Sequence, residues 1–235
     1  PGTYESYWML QNQRGEKFGL GNDAKVAFWV KIIVLQGSQS SGTSELGEPD
    51  WQDSFDDKRI SFYLGADDDV SFQKKDGNLE ISALRPAGDQ WRVAEMGALS
   101  DFYLEAQFTT GSSCSGKDSY GLLLRAPDQA NNIIDTGYVL GISCDGHYRF
   151  YRMDNGNYTG LINWTSHPAI KKGANQDNTI AVQAKNFLFQ VFVNGVQAFE
   201  FSDSAYPSGY FGLVVRAENN SITALVQQMA FWRLP

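Results

Sequence analysis

The chain has 235 residues, 42% of them hydrophobic and 14% aromatic, with a net charge of −8 and a pI near 4.7. That is enough chain to close a sizeable core. The acidity and the lack of a basic cluster exclude a nucleic-acid binder, which must neutralise phosphates with grouped Lys and Arg, and no apolar run of about 18 residues is present to span a membrane.

In chain order, residues 1–35 read as an N-terminal extended arm, 36–49 as a flexible linker and 50–235 as one domain. The chain begins at Pro1 without a visible signal peptide and reads as a mature, processed chain. Within the arm, Ala24–Leu35 predicts one long strand. Its even positions Ala24, Val26, Phe28, Val30, Ile32 and Val34 are all apolar. Such a face must pair with a sheet. It either folds back on its own domain or adds to a neighbouring copy of the chain, so those six residues are candidate subunit contacts. The linker GSQSSGTSELGEP is rich in Ser and Gly and has no apolar period.

From Trp51 onward strand signals follow at short intervals: Val70–Gln73, Asn78–Leu84, Trp91–Met96, Phe102–Thr109, Tyr120–Arg125, Tyr138–Cys144, Tyr148–Met153 and Tyr158–Trp164. Thr179–Lys185, Leu188–Val193, Gln197–Phe201, Tyr210–Val215 and Thr223–Arg233 complete the series. Lys75-Asp76-Gly77-Asn78, Asp145-Gly146, Asp154-Asn155-Gly156-Asn157 and Asn194-Gly195 are hairpin turns that reach φ > 0 cheaply. Helical periodicity is almost absent, with at most one turn at Pro168–Lys172. The fold class is therefore all-β, a two-sheet sandwich.

Several segments resemble one family. Trp51-Gln52-Asp53-Ser54-Phe55 resembles the W-x-D-x-F opening of concanavalin A-like lectin/glucanase domains. Ser119–Arg125 resembles their YGL-x-x-R strand, and Gly137–Gly146 followed by Tyr148–Arg152 resembles their central hairpin. Val191–Gly195 and Gly209–Leu213 are similar to later strands. The likeness covers residues 50–235 and is nearest to laminin G-like and keto-disaccharide-hydrolase-like domains. It implies a jelly roll, and fold alone does not name an activity.

Candidate chemistry is sparse. Glucanases of this fold place their carboxylates in an E-x-D-x-E strand, which is absent here. Asp101 and Glu105 are the nearest substitute, so no catalytic residue is assigned and glycoside hydrolysis stands as the lesser alternative. Asp67, Asp68 and Asp69 are weak calcium candidates; no other cofactor is called for. Asp118, Asp128 and Asp135 lie in loops without ligand spacing. His147 and His167 have no partners at zinc spacing, and His167 reads as exposed. Cys114 and Cys144 sit at strand edges in Ser/Gly/Asp-rich settings and predict a disulfide, hence an oxidising compartment.

Aromatics carry the stronger hint. Tyr148, Tyr151, Tyr158 and Trp164 lie on consecutive strands and are candidate glycan-stacking residues, with Tyr158 and Trp164 expected to be exposed among polar neighbours. N-x-[ST] sequons occur at Asn157, Asn163 and Asn219. The sequence thus points to an extracellular or cell-surface, non-catalytic module that is adhesive or glycan-binding. A subunit of a filament joined through the arm is the alternative.

Overall fold

A computed structural model describes residues 2–34, 46–56, 61–127 and 135–235. The chain divides into two compact units, residues 1–40 and 41–235. Most of the expected linker, Leu35 and Asp128 lie outside the described residues.

The first unit holds β1 (Gly2–Trp8), β2 (Leu10–Gln11), β3 (Lys17–Phe18) and β4 (Phe28–Val34). β4 pairs antiparallel with β1, Trp8 opposite Phe28 and Gly2 opposite Val34, in a two-stranded sheet of its own. The long strand expected over 24–35 is therefore shorter, and its partner is a segment that the sequence reading left unassigned. The reason is a turn: Ala24 donates its N–H to the Gly21 carbonyl at 3.0 Å and sits at φ 55°, and Val26 bridges back to Leu20. Glycine at position 21, with φ 87°, closes that turn and takes residues 24–26 out of the strand. Within this unit the apolar face is only partly covered. Val26 and Val30 are 55% and 40% exposed, while Ala24 and Phe28 are half-buried. Ile32 and Val34 are described by their backbone alone.

The second unit contains β5 (Trp51–Asp53), β6 (Gly65–Ala66), β7 (Val70–Lys75), β8 (Asn78–Ala83), β9 (Gln90–Val93) and β10 (Phe102–Thr110). It continues with β11 (Ser119–Ala126), β12 (Gly137–Ser143), β13 (His147–Asp154), β14 (Asn157–Ser166) and β15 (Asp177–Lys185). β16 (Leu188–Val193), β17 (Val196–Ser202), β18 (Tyr210–Arg216) and β19 (Ile222–Arg233) end it. No helix occurs among the described residues; Pro168–Lys172 makes only a turn. One sheet has nine strands in the order β17-β16-β15-β10-β19-β8-β7-β6, with β5 also on β19. The other has six, β14-β13-β12-β11-β18-β9. Every pairing is antiparallel, as a jelly-roll sandwich requires.

Turn chemistry sets the hairpins. Asp76-Gly77, Asn155-Gly156 and Asn194-Gly195 each hold two successive residues at positive φ, which matches the twist of the flanking strands. Between the sheets lies one apolar core. Tyr138 and Phe150 from the six-stranded sheet meet Phe189 from the nine-stranded sheet at 4.8 and 5.4 Å, and Phe108 meets Tyr120 at 5.1 Å. Each such ring contributes about 1.5–3 kcal/mol of burial.

The motif residues are structural. Trp51 packs on Phe211 and Phe231, and buried Asp53 accepts the N–H groups of Phe55 and Ser61 at 2.8 and 3.1 Å. Arg125 is wholly buried. It donates to the carbonyls of Ser100, Asn186 and Tyr206 at 2.5–3.3 Å and lies over the Phe189 ring, so it ties three loops together. Cys114 and Cys144 are bonded, with Cα atoms 5.3 Å apart. The crosslink fixes the loop after β10 to the end of β12.

Candidate functional site: a trough on the six-stranded sheet

Alternation along β13 decides which side chains leave the core. Tyr148 and Phe150 turn inward; Arg149 and Tyr151 turn outward. Tyr148 was a stacking candidate in the sequence, but it is buried, stacked on Phe199 at 4.8 Å with its hydroxyl toward the Ala198 carbonyl. It belongs to the core. Along the edge strand β14, whose pairing with β13 is interrupted by bulges, Tyr158, Gly160, Ile162 and Trp164 border the same trough as Arg149 and Tyr151. Together with Asp89, from the loop before β9, and Arg216, at the end of β18, they line a trough of about 450 Å³. That volume lies in the ~300–1,000 Å³ range of small-molecule sites.

The floor is bare. Gly141 lies opposite Arg149 in the ladder and Gly121 lies opposite Gly141, so no side chains rise beneath the guanidinium. A Cβ at Gly141 would sit 3.6 Å from Arg149 Nε. Arg149 instead runs across this floor, its guanidinium 4.7 Å from the Tyr151 ring centre and 4.8 Å from that of Trp164. Its Nη2 donates to Asp89 Oδ1 at 2.5 Å, and Arg216 Nη1 donates to Asp89 Oδ2 at 3.4 Å. Asp89 is 5% exposed, so this carboxylate is buried between two cations. Gly160 faces Tyr151 across the β13–β14 ladder and keeps that side open.

Two buried polar atoms in this wall, Arg149 Nε and the Tyr151 hydroxyl, have no hydrogen-bond partner among the described residues. Burial, with the Asp89 carboxylate close by, raises the Tyr151 phenol far above its usual range, so it stays a neutral hydroxyl. Buried polar groups left without partners are uncommon, which sets this wall apart from the satisfied core.

The three remaining stacking candidates do come together, in different roles. Tyr158 is 59% exposed, its ring 5.5 Å from Tyr151, and offers a free aromatic face. Trp164, expected to be exposed, is half-buried and holds cations over its ring: Arg149, and Lys117 with Nζ at 5.2 Å. Lys117 also pairs with Asp145 at 2.7 Å, and Asp145 accepts from Ser143 Oγ at 2.6 Å and contacts His147 Nδ1 at 2.9 Å. Burial pushes the Asp145 carboxyl up, but Lys117, Ser143 and His147 outweigh it and bring it down to about 2.

Other candidates lie elsewhere. Asp67 accepts the N–H groups of Asp69 and Val70, and Asp69 pairs with Arg85. No group of three His, Cys, Asp or Glu side chains able to hold a metal occurs among the described residues. Glu105 sits on the outer face of the nine-stranded sheet against the Tyr103 hydroxyl, and Asp101 accepts the Asn186 N–H. Asp118 is buried and accepts the Glu218 N–H. His167, read as exposed, is half-buried edge-on to Tyr148. Asn157, Asn163 and Asn219 are exposed, and Asn163 borders the trough.

Asp89, Arg149 and Arg216 were missed in the sequence. Alternation on β13 could have grouped Arg149 with Tyr151. Nothing local marks Asp89, which is 60 residues from Arg149 in the chain.

A family model described as the 3-keto-alpha-glucoside-1,2-lyase-like domain matches residues 50–223. No curated protein matches the sequence. Among solved structures, the carbohydrate-binding module CBM66 from Bacillus subtilis is 16% identical, with a TM-score of 0.56, over 73% of this chain and 96% of that one. The catalytic domain of an endo-1,3-beta-glucanase (laminarinase) from Thermotoga petrophila is 9% identical, with a TM-score of 0.52, over 79% of this chain and 97% of that one. A GH43 protein from Bacillus licheniformis is 10% identical, with a TM-score of 0.57, over 96% of this chain and 46% of that one. At these identities the likeness is one of fold.

Proposed function

The chain belongs to the family of 3-keto-alpha-glucoside-1,2-lyase-like domains, and from that premise we propose that its sandwich is an extracellular module that binds a saccharide in the trough without cleaving it. The observation that carries this reading is the buried Asp89–Arg149–Arg216 group beside the exposed face of Tyr158. Vicinal sugar hydroxyls donate and accept at once. The guanidiniums that Asp89 holds in place supply donors to the sugar's hydroxyl oxygens, and the Tyr158 ring supplies a flat apolar surface for the sugar's C–H face. The Cys114–Cys144 bond supports an oxidising, extracellular setting. No helix of the described residues is long and apolar enough to cross a membrane.

Against hydrolysis, the trough lining holds a single carboxylate, whereas the usual hydrolases set two about 5–9.5 Å apart. Both oxygens of Asp89 already accept from arginines. The test is a titration of the full chain with an α-glucoside and with its 3-keto derivative, followed by tyrosine and tryptophan fluorescence, beside a product assay. Binding that is lost in Asp89→Asn, with no product formed, supports the module. Turnover of the 3-keto sugar that vanishes in Asp89→Asn replaces it with a lyase.

A second reading concerns residues 2–34. Tyr4, Tyr7, Trp8, Trp29 and Val30 are exposed on a two-stranded sheet, which favours self-association of copies through that hairpin. Because β4 already has β1 as partner, a contact would add to the ribbon's edges or faces and not insert β4 alone. Sedimentation of the full chain and of Val30→Asp tests it: a shift from oligomer to monomer supports self-association, and monomers in both refute it.

A further inference from the structure

The trough is positive in a protein that is strongly negative. Its lining carries Arg149 and Arg216 against Asp89 alone, and Lys117 joins it through the Trp164 ring with its own partner Asp145. The lining itself thus sets two cations against one carboxylate, in a chain of net charge −8. The two arginines are not equally engaged. Arg149 is 17% exposed and bonded to Asp89 at 2.5 Å. Arg216 is 34% exposed and reaches Asp89 through Nη1 at 3.4 Å, a long bond that leaves most of its five donors without a partner among the described residues. A guanidinium held at one corner and open along an edge fits the planar pair of oxygens of an anion. Arg125 is the internal control, since both of its terminal nitrogens and Nε donate to main-chain carbonyls.

We infer that the saccharide taken by the trough carries an acidic group, a uronate carboxylate or a sulfate ester, received by the open edge of Arg216 while Tyr158 stacks on the ring. This rests on the saccharide-binding reading of the same trough. Asp89 does not oppose it, because its charge is buried behind both guanidiniums and spent on them. A positive concavity on an acidic surface also concentrates anionic ligands and makes their capture salt-dependent.

The experiment is calorimetric titration of the full chain with three trisaccharides: a neutral oligoglucoside, an oligogalacturonide and a sulfated oligoglucoside. At low salt the acidic trisaccharides bind at least tenfold more tightly than the neutral one, and whichever of the two binds more tightly identifies the acidic group. The preference shrinks to less than threefold in Arg216→Gln and persists in part in Arg216→Lys. Tyr158→Ala weakens all three alike. Equal affinity for neutral and acidic sugars overturns the inference while leaving saccharide binding standing, as does a preference that survives Arg216→Gln. Binding of none of the three overturns both.

Discussion

Two arginine clusters of this sandwich are built from similar parts and finished differently. At Arg125 the guanidinium is sealed in the interior, its donors spent on the carbonyls of Ser100, Asn186 and Tyr206 and its face on Phe189. At Arg149 and Arg216 the guanidiniums share one buried carboxylate and border an open trough, with Arg149 Nε and the Tyr151 hydroxyl unmatched among the described residues. A satisfied network fixes loops; one left incomplete next to solvent has donors to offer a ligand. Charge alone does not separate a structural arginine from a binding one. The count of donors already used does.

The largest expected effect comes from breaking the sealed cluster. Arg125→Ala leaves the carbonyls of Ser100, Asn186 and Tyr206 without their donor and opens a cavity, and denaturant unfolding should register a loss of about 3–5 kcal/mol. Cys114→Ser with Cys144→Ser comes next, at about 3–4 kcal/mol for a loop whose ends are 30 positions apart, read by the same denaturation. Opening the other cluster should behave differently. Asp89→Asn should cost only about 1–2 kcal/mol of stability yet abolish saccharide binding in a fluorescence titration. Tyr158→Ala should leave stability within about 0.5 kcal/mol and weaken binding about tenfold, or 1.4 kcal/mol.

The smallest effect sharpens the comparison through pH. Asp145 is held at about 2 against an ordinary 3.8, so its contribution to stability is complete above about pH 4 and is lost as pH falls through 2. The stability gap between the wild type and Asp145→Asn should therefore close between pH 4 and pH 2, as seen in acid-titrated thermal melts. A gap that stays constant over that window would mean the Lys117–Asp145 pair does not stabilise the fold.

How far the sequence reached follows from where each feature's information lies. The sandwich was legible because period-two alternation and Asn-Gly or Asp-Gly turns are local, and β16 with its Asn194-Gly195 turn is the clearest case. The disulfide was legible because both cysteines follow strands in Ser/Gly/Asp-rich stretches. Alternation misled at residues 24–26, where Gly21 and the left-handed Ala24 close a turn inside an apolar pattern. In the trough, Tyr151, Tyr158 and Trp164 were named from their strands, but Tyr148 was grouped with them although one step along β13 reverses its face. Asp89 and Arg216 could not be found locally. They reach Arg149 from a loop and from β18, so only the assembled sheet brings them together.

The most direct measurement follows the arginine side-chain Nε–H resonances by NMR while a saccharide is titrated into the full chain. The Arg149 and Arg216 signals should move in proportion to occupancy and saturate together, while Arg125, its donors already spent, stays fixed. Saccharide binding that leaves Arg149 and Arg216 unmoved, or that shifts Arg125 equally, would contradict the assignment of the trough as the binding site.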